Sequence, residues 1–99
     1  MSARLAEAEL AQTLGRLPGW QLEEGKLVRT FRFRDFADAF AFMSACALRI
    51  HALDHHPEWS NVYSTVRVAL VTHDAGGITA RDAELAAVMS AIAERFARA

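Results

Sequence analysis

Pro57 constrains the fold of this chain more than any other residue, because it forces neighbouring segments into different secondary structure. Proline lacks an amide proton and disfavours helical backbone in the residue before it. Upstream, Asp35 is a favourable N-cap with Asp38 three residues on. The helix it opens places Phe36, Phe40, Met43, Ala47 and Ile50 on one face, as core residues, and runs to about Ala52. Downstream, Trp59 to Thr72 is rich in β-forming residues and too long for one ordinary strand. It predicts two strands with a turn near Tyr63-Ser64-Thr65.

The same alternation extends to both ends. Leu10, Leu14 and Leu17 form the apolar stripe of a helix over Leu5 to Leu17, which Pro18-Gly19 ends. Trp20 to Glu23 and Lys26 to Arg34 predict a hairpin joined at Glu24-Gly25, with Phe31 and Phe33 alternating against Thr30, Arg32 and Arg34. After a Gly76-Gly77 loop, Thr79 and Asp82 make a capping-box-like pair. They open a last helix whose inner stripe is Leu85, Met89, Ile92 and Phe96. The order α-β-β-α-β-β-α predicts an α+β fold, a four-stranded antiparallel sheet with helices packed on one face.

Length and charge narrow the function. The 99 residues make one domain, 1–99, with no room for a second core. So short a chain buries only about 60–65% of its unfolded surface, so oligomerisation would be a natural supplement. The near balance of 11 basic and 12 acidic residues argues against direct nucleic-acid binding, which needs a clustered positive excess. Cys46, the only cysteine, excludes an intrachain disulfide and limits a metal site to one thiolate. Met1 to Glu9 carries three charges and no long apolar run, so neither a signal peptide nor a membrane anchor is expected. The expected setting is the cytoplasm.

Chemistry points to the histidines, at 51, 55, 56 and 73. If Ser64 centres the second hairpin, paired positions sum to about 128, which puts His55 opposite His73 and His56 opposite Thr72. One end of the hairpin then gathers imidazoles with Asp54, Asp74 and the glycine loop. Imidazoles titrate near neutrality and move protons in both directions, and a neighbouring carboxylate fixes their tautomer. General acid–base catalysis without a nucleophile or cofactor is the chemistry expected. The spacing argues against a metal: adjacent histidines point apart, and His51 with His55 would share a helix face only if the helix ran past the reach of Pro57. Trp20 and Trp59 read as core or interface anchors. Glu58 reads as an exposed strand residue or a third acid beside the histidines.

The stretch Leu53-Asp54-His55-His56-Pro57-Glu58-Trp59, followed by Asn61-Val62-Tyr63 and by Thr72-His73-Asp74, closely resembles the defining motif of the pterin-4a-carbinolamine dehydratases. Some members of that family also serve as dimerization cofactors of a homeodomain transcription factor. The resemblance extends to Gly19-Trp20, Phe31 to Phe42 and Arg81-Asp82. It implies the sheet-and-helix fold derived above and dehydration of a 4a-hydroxytetrahydropterin to the quinonoid dihydropterin, with no metal or other cofactor. That reaction recycles the pterin of an aromatic amino acid hydroxylase. By resemblance, His55 and His73 are the acid–base pair and His56 binds and orients the pterin. Asp54, Val71, Thr72, His73 and Asp74 line it, and His51 and Asp82 form an outer layer. It also implies a homodimer or homotetramer. One departure stands out: His51 occupies a position where the family usually has an acidic residue. The alternative implied is a non-catalytic binding protein on the same fold, a transcription dimerization cofactor or a carboxysome-associated, Rubisco-assembly type of factor.

Overall fold

The computed structural model describes residues 3–96. Helix α1 (Glu7–Gly15) leads into a hairpin of β1 (Gln21–Glu23) and β2 (Lys26–Arg32). Helix α2 (Phe36–Leu53) follows, then a second hairpin of β3 (Glu58–Val62) and β4 (Thr65–Leu70). A single 3-10 turn at His73–Ala75 precedes helix α3 (Ala80–Glu94). The four strands form one antiparallel sheet in the order β1-β2-β4-β3. The α+β architecture and its element order are those the residue patterns predict, with the first helix and the first two strands shorter than expected.

Turn chemistry closes both hairpins. Glu24 and Gly25 both take positive φ, 51° and 78°, which matches the twist of a two-residue hairpin turn. In the second, Val62 pairs with Thr65, so the turn residues are Tyr63 and Ser64. The Asn61 amide braces it by donating to the carbonyls of Tyr63 and Thr65 at 3.0 and 2.9 Å. Pairing therefore sums to 127 (Glu58 with Ala69, Trp59 with Val68), one less than the sequence suggests. A shift of one residue exchanges the faces of a strand.

One face of the sheet is buried. Leu27, Phe31, Val66, Val68 and Leu70 point into a core closed by Ala39, Phe42, Cys46 and Ile50 of α2 and by Leu85, Ala86, Met89 and Ile92 of α3. Phe42 sits at its centre, with ring centroids 4.9 Å from both Phe31 and Phe33. The inner face of α2 differs from the expected one. Ile50 is buried and Met43 partly so, but Phe36 and Phe40 are 47% and 55% exposed and stack on each other on the outside of the helix. With apolar residues on both sides, α2 has no unique inner stripe by periodicity, and the packing partners decide its rotation. On α3 the expected stripe is inside: Leu85, Met89 and Ile92 are buried, and Phe96 packs against the core just past the helix end.

Candidate active site

The end of α2 delivers the first histidine. Asp54, just past the helix, takes the left-handed conformation (φ 51°), and its amide donates to the His51 carbonyl at 3.2 Å. The next amide, of His55, reaches back to the Ile50 carbonyl at 3.4 Å. This pair of bonds is the Schellman closure of a helix, in which Asp substitutes for the usual Gly. Arg81, at the start of α3, donates to the carbonyls of Asp54 (2.7 Å) and Leu53 (3.3 Å), a cation at the negative end of the helix. The chain turns inward as a result, and His55 is buried with 8% of its surface exposed.

Asp82 receives it. This carboxylate is wholly buried, and its Oδ1 lies 2.5 Å from Nε2 of His55. Its Oδ2 accepts from the Thr72 hydroxyl and from the Thr79 amide, each at 2.8 Å. The Thr79 hydroxyl in turn lies 2.8 Å from that of Thr72 and accepts from the Arg81 amide at 3.2 Å. The expected capping box is therefore present, but its acid does two things at once: it caps α3 and holds an imidazole 27 positions away in sequence. A carboxylate only accepts, so Nε2 of His55 must carry the proton, which leaves Nδ1 as the nitrogen able to exchange one. Among the described residues no buried side-chain polar atom lacks a hydrogen-bond partner.

Hairpin pairing does not set His55 against His73. Strand pairing stops at Glu58 and Ala69, before either histidine. With the register at 127, the residue that meets the His55 site is Thr72, through Asp82. Thr72 is buried, and its amide and carbonyl bridge to Gly77. His73 is the next residue, with a largely exposed ring whose Nε2 lies 3.2 Å from Glu58 Oε2. His55 and His73 thus belong to the same end of the sheet, linked through Asp82 and Thr72 on one side and through the short segment from His55 to Glu58 on the other.

The remaining residues surround this end. His56 is exposed, with Nε2 3.7 Å from Oδ1 of an exposed Asp54. Val71 is partly buried, and Asp74 lies exposed in the 3-10 turn. His51 and His56 line one cleft of about 320 Å³ with Ala47, Ile50, Pro57 and Trp59, so the unusual histidine faces the same space as an expected ligand-binding one. Trp59, read from sequence as an anchor, contributes to that cleft. Among the described residues no group of three or more His, Cys, Asp or Glu side chains is placed to hold a metal ion. Glu58 is the residue whose role the sequence left open. Its carboxyl is held below the usual glutamate range by a hydrogen bond from Lys26, opposed by partial desolvation and aided by the Lys26 charge and by His73.

A four-stranded antiparallel sheet under helices, with two carboxylate-held imidazoles at one end, defines a small α+β protein. Residues 3–92 match the family model described as pterin 4 alpha carbinolamine dehydratase. The chain is 52% identical over 98 residues to a protein of Rhodopseudomonas palustris strain BisB18, covering 97% of each chain. A protein of Novosphingobium aromaticivorans is 54% identical over 89 residues, covering 88% of this chain and 93% of its own. Both relatives are provisionally named pterin-4-alpha-carbinolamine dehydratase. A crystal structure from Brucella melitensis, described as a transcriptional coactivator/pterin dehydratase, superposes with a TM-score of 0.88 at 47% identity, covering 91% of this chain and 98% of that one. The chain belongs to the pterin-4a-carbinolamine dehydratase family.

Proposed function

We propose that this protein dehydrates a 4a-hydroxytetrahydropterin to the quinonoid dihydropterin, in the cytoplasm, and so recycles the pterin used by an aromatic amino acid hydroxylase. The observation that carries this reading is the buried His55–Asp82–Thr72 chain with His73 next to it. It supplies two imidazoles at one site, the first in a fixed tautomer. The reaction asks for two proton movements. The 4a-hydroxyl gains a proton and leaves as water as the C4a–O bond breaks. N5 gives up its proton as the C4a=N5 double bond forms. His55 and His73 serve as base and acid on the two sides of the reacting centre, each worth on the order of 10²–10⁴-fold. His56 binds the pterin, with Asp54, Val71, Thr72 and Asp74 along its edge and the cleft beside Trp59 next to it. The reaction needs no metal, and activity is expected to survive chelation.

The test is a dehydration assay on the purified protein, with His55→Ala and His73→Ala beside the wild type. Both variants should lose most of the rate while keeping the wild-type circular dichroism. Wild-type turnover in both would remove these roles.

A second reading, a non-catalytic binding or assembly protein, is favoured by the outside of α2, where Phe36 and Phe40 are exposed against each other and Leu48 is exposed two turns further along. Such a face fits a protein contact, including self-association to a homodimer or homotetramer. Capture of a partner protein by a chain with no measurable dehydration would support it.

A further inference from the structure

The proposed dehydration gives His73 a proton to move, yet its ring is largely exposed, and an exposed imidazole samples many orientations. The open face of the sheet holds it. Glu58, Ala69 and Val28 lie in one cross-strand row, and Lys26 is on the same face two residues before Val28. Ala69, in the middle of that row, has only a methyl group. The Lys26 side chain therefore reaches across it, and Nζ lies 2.7 Å from Glu58 Oε1. The other oxygen, Oε2, is the one that meets His73 Nε2 at 3.2 Å. Another cation on this face, Arg67, is engaged by Glu23 at 3.0 Å. Pro57 fixes the start of β3, so Glu58 leaves the sheet edge in a set direction.

We propose that Glu58, held by Lys26, is a positioning residue for His73, so that His73 is anchored at Nε2 by a carboxylate and presents Nδ1 to the substrate as His55 does. This rests on the proposed dehydration for its kinetic consequence and on geometry for the contact. A carboxylate cannot donate, so Nε2 of His73 carries the proton whenever the contact is made. Outer carboxylates commonly orient a working imidazole in this way. Among the described residues His56 makes only a longer approach to a carboxylate, 3.7 Å to an Asp54 that is almost fully exposed.

The experiment uses the full chain and a synthetic 4a-hydroxytetrahydropterin. Glu58→Ala should lower kcat about 5- to 20-fold, with KM within about twofold. Glu58→Gln, which keeps an acceptor oxygen, should recover much of that loss. Lys26→Met should cost about two- to fourfold and add nothing to Glu58→Ala. In a His73→Ala background Glu58→Ala should have no further effect, the signature of two residues acting as one unit. A wild-type kcat in Glu58→Ala, or an equal loss with and without His73, would overturn the proposal. A second readout needs no turnover: the Glu58 carboxyl titration followed by ¹³C NMR should rise in Lys26→Met and, by less, in His73→Ala. A curve unmoved by His73→Ala would overturn the contact itself. If the wild type dehydrates no pterin, the proposed activity fails, and the Glu58 proposal is decided by the titration.

Discussion

Asp82 offers the sharpest test of how this site is built, because one buried carboxylate serves both the fold and the proposed chemistry. Asp82→Ala removes the cap on the Thr79 amide, at a cost of about 0.5–2 kcal/mol. It also strands the buried His55 Nε2, at about 1–3 kcal/mol, whereas the Thr72 hydroxyl keeps that of Thr79 as a partner. Together these amount to about 1.5–5 kcal/mol, a sizeable part of the roughly 5–15 kcal/mol that holds a domain together. At about 4–8 °C per kcal/mol for a domain near this size, the melting point should fall by ~6 °C or more. Asp82→Asn separates the two roles. Its amide oxygen can replace Oδ2 and still accept from Thr72 and Thr79. Its NH₂ group then faces His55 Nε2, where a second donor cannot be tolerated. His55 must move its proton to Nδ1 so that Nε2 accepts. Stability should drop by only about 1 kcal/mol, while the wrong tautomer should lower kcat by about 10²–10⁴-fold. Thermal melts and the carbinolamine dehydration assay, run on the same preparations, read the two effects. An Asp82→Asn protein within threefold of wild-type kcat would refute the tautomer argument. An Asp82→Ala protein that melts like the wild type would refute the buried network.

The rotation of α2 is checked by a pair of truncations: Phe42→Ala should cost about 3–5 kcal/mol in denaturant unfolding, whereas Phe40→Ala, outside the helix, should stay near about 0.5 kcal/mol for the isolated protomer. Cys46 is buried, and desolvation pushes its thiol up to about 12. A thiol reagent at pH 8 should therefore leave the native protein unlabelled and modify it only at the rate of unfolding. The Glu58 carboxyl is held below its ordinary value of 4.5, first by its hydrogen bond from Lys26. Its contribution to stability is thus complete above that ordinary value and is lost as pH falls through the lowered one. Melting curves of wild type and Lys26→Met should differ at pH 6 and converge in acid.

Local chemistry determined much of this protein. Asp35 with Asp38 and Thr79 with Asp82 mark two helix starts, Pro57 separates α2 from β3, and Glu24-Gly25 closes a hairpin, because caps and turns depend on residues within four positions of each other. The histidine motif is equally local, and it carried the family. Tertiary structure decided what local rules leave open. The apolar residues of α2 fit two inner faces, and only the sheet and α3 select Ala39, Phe42, Cys46 and Ile50. A turn assignment near Ser64 leaves the strand register uncertain by one residue, which was enough to put His73 where Thr72 belongs. Asp82 reads as a cap that the family resemblance sets near the site, and Glu58 as an exposed strand residue or a third acid; only the fold brings each to a particular imidazole, across 27 and 15 positions of sequence. The histidines are written in the motif, but the carboxylates that orient them are contacts between distant segments, and only packing brings those segments together.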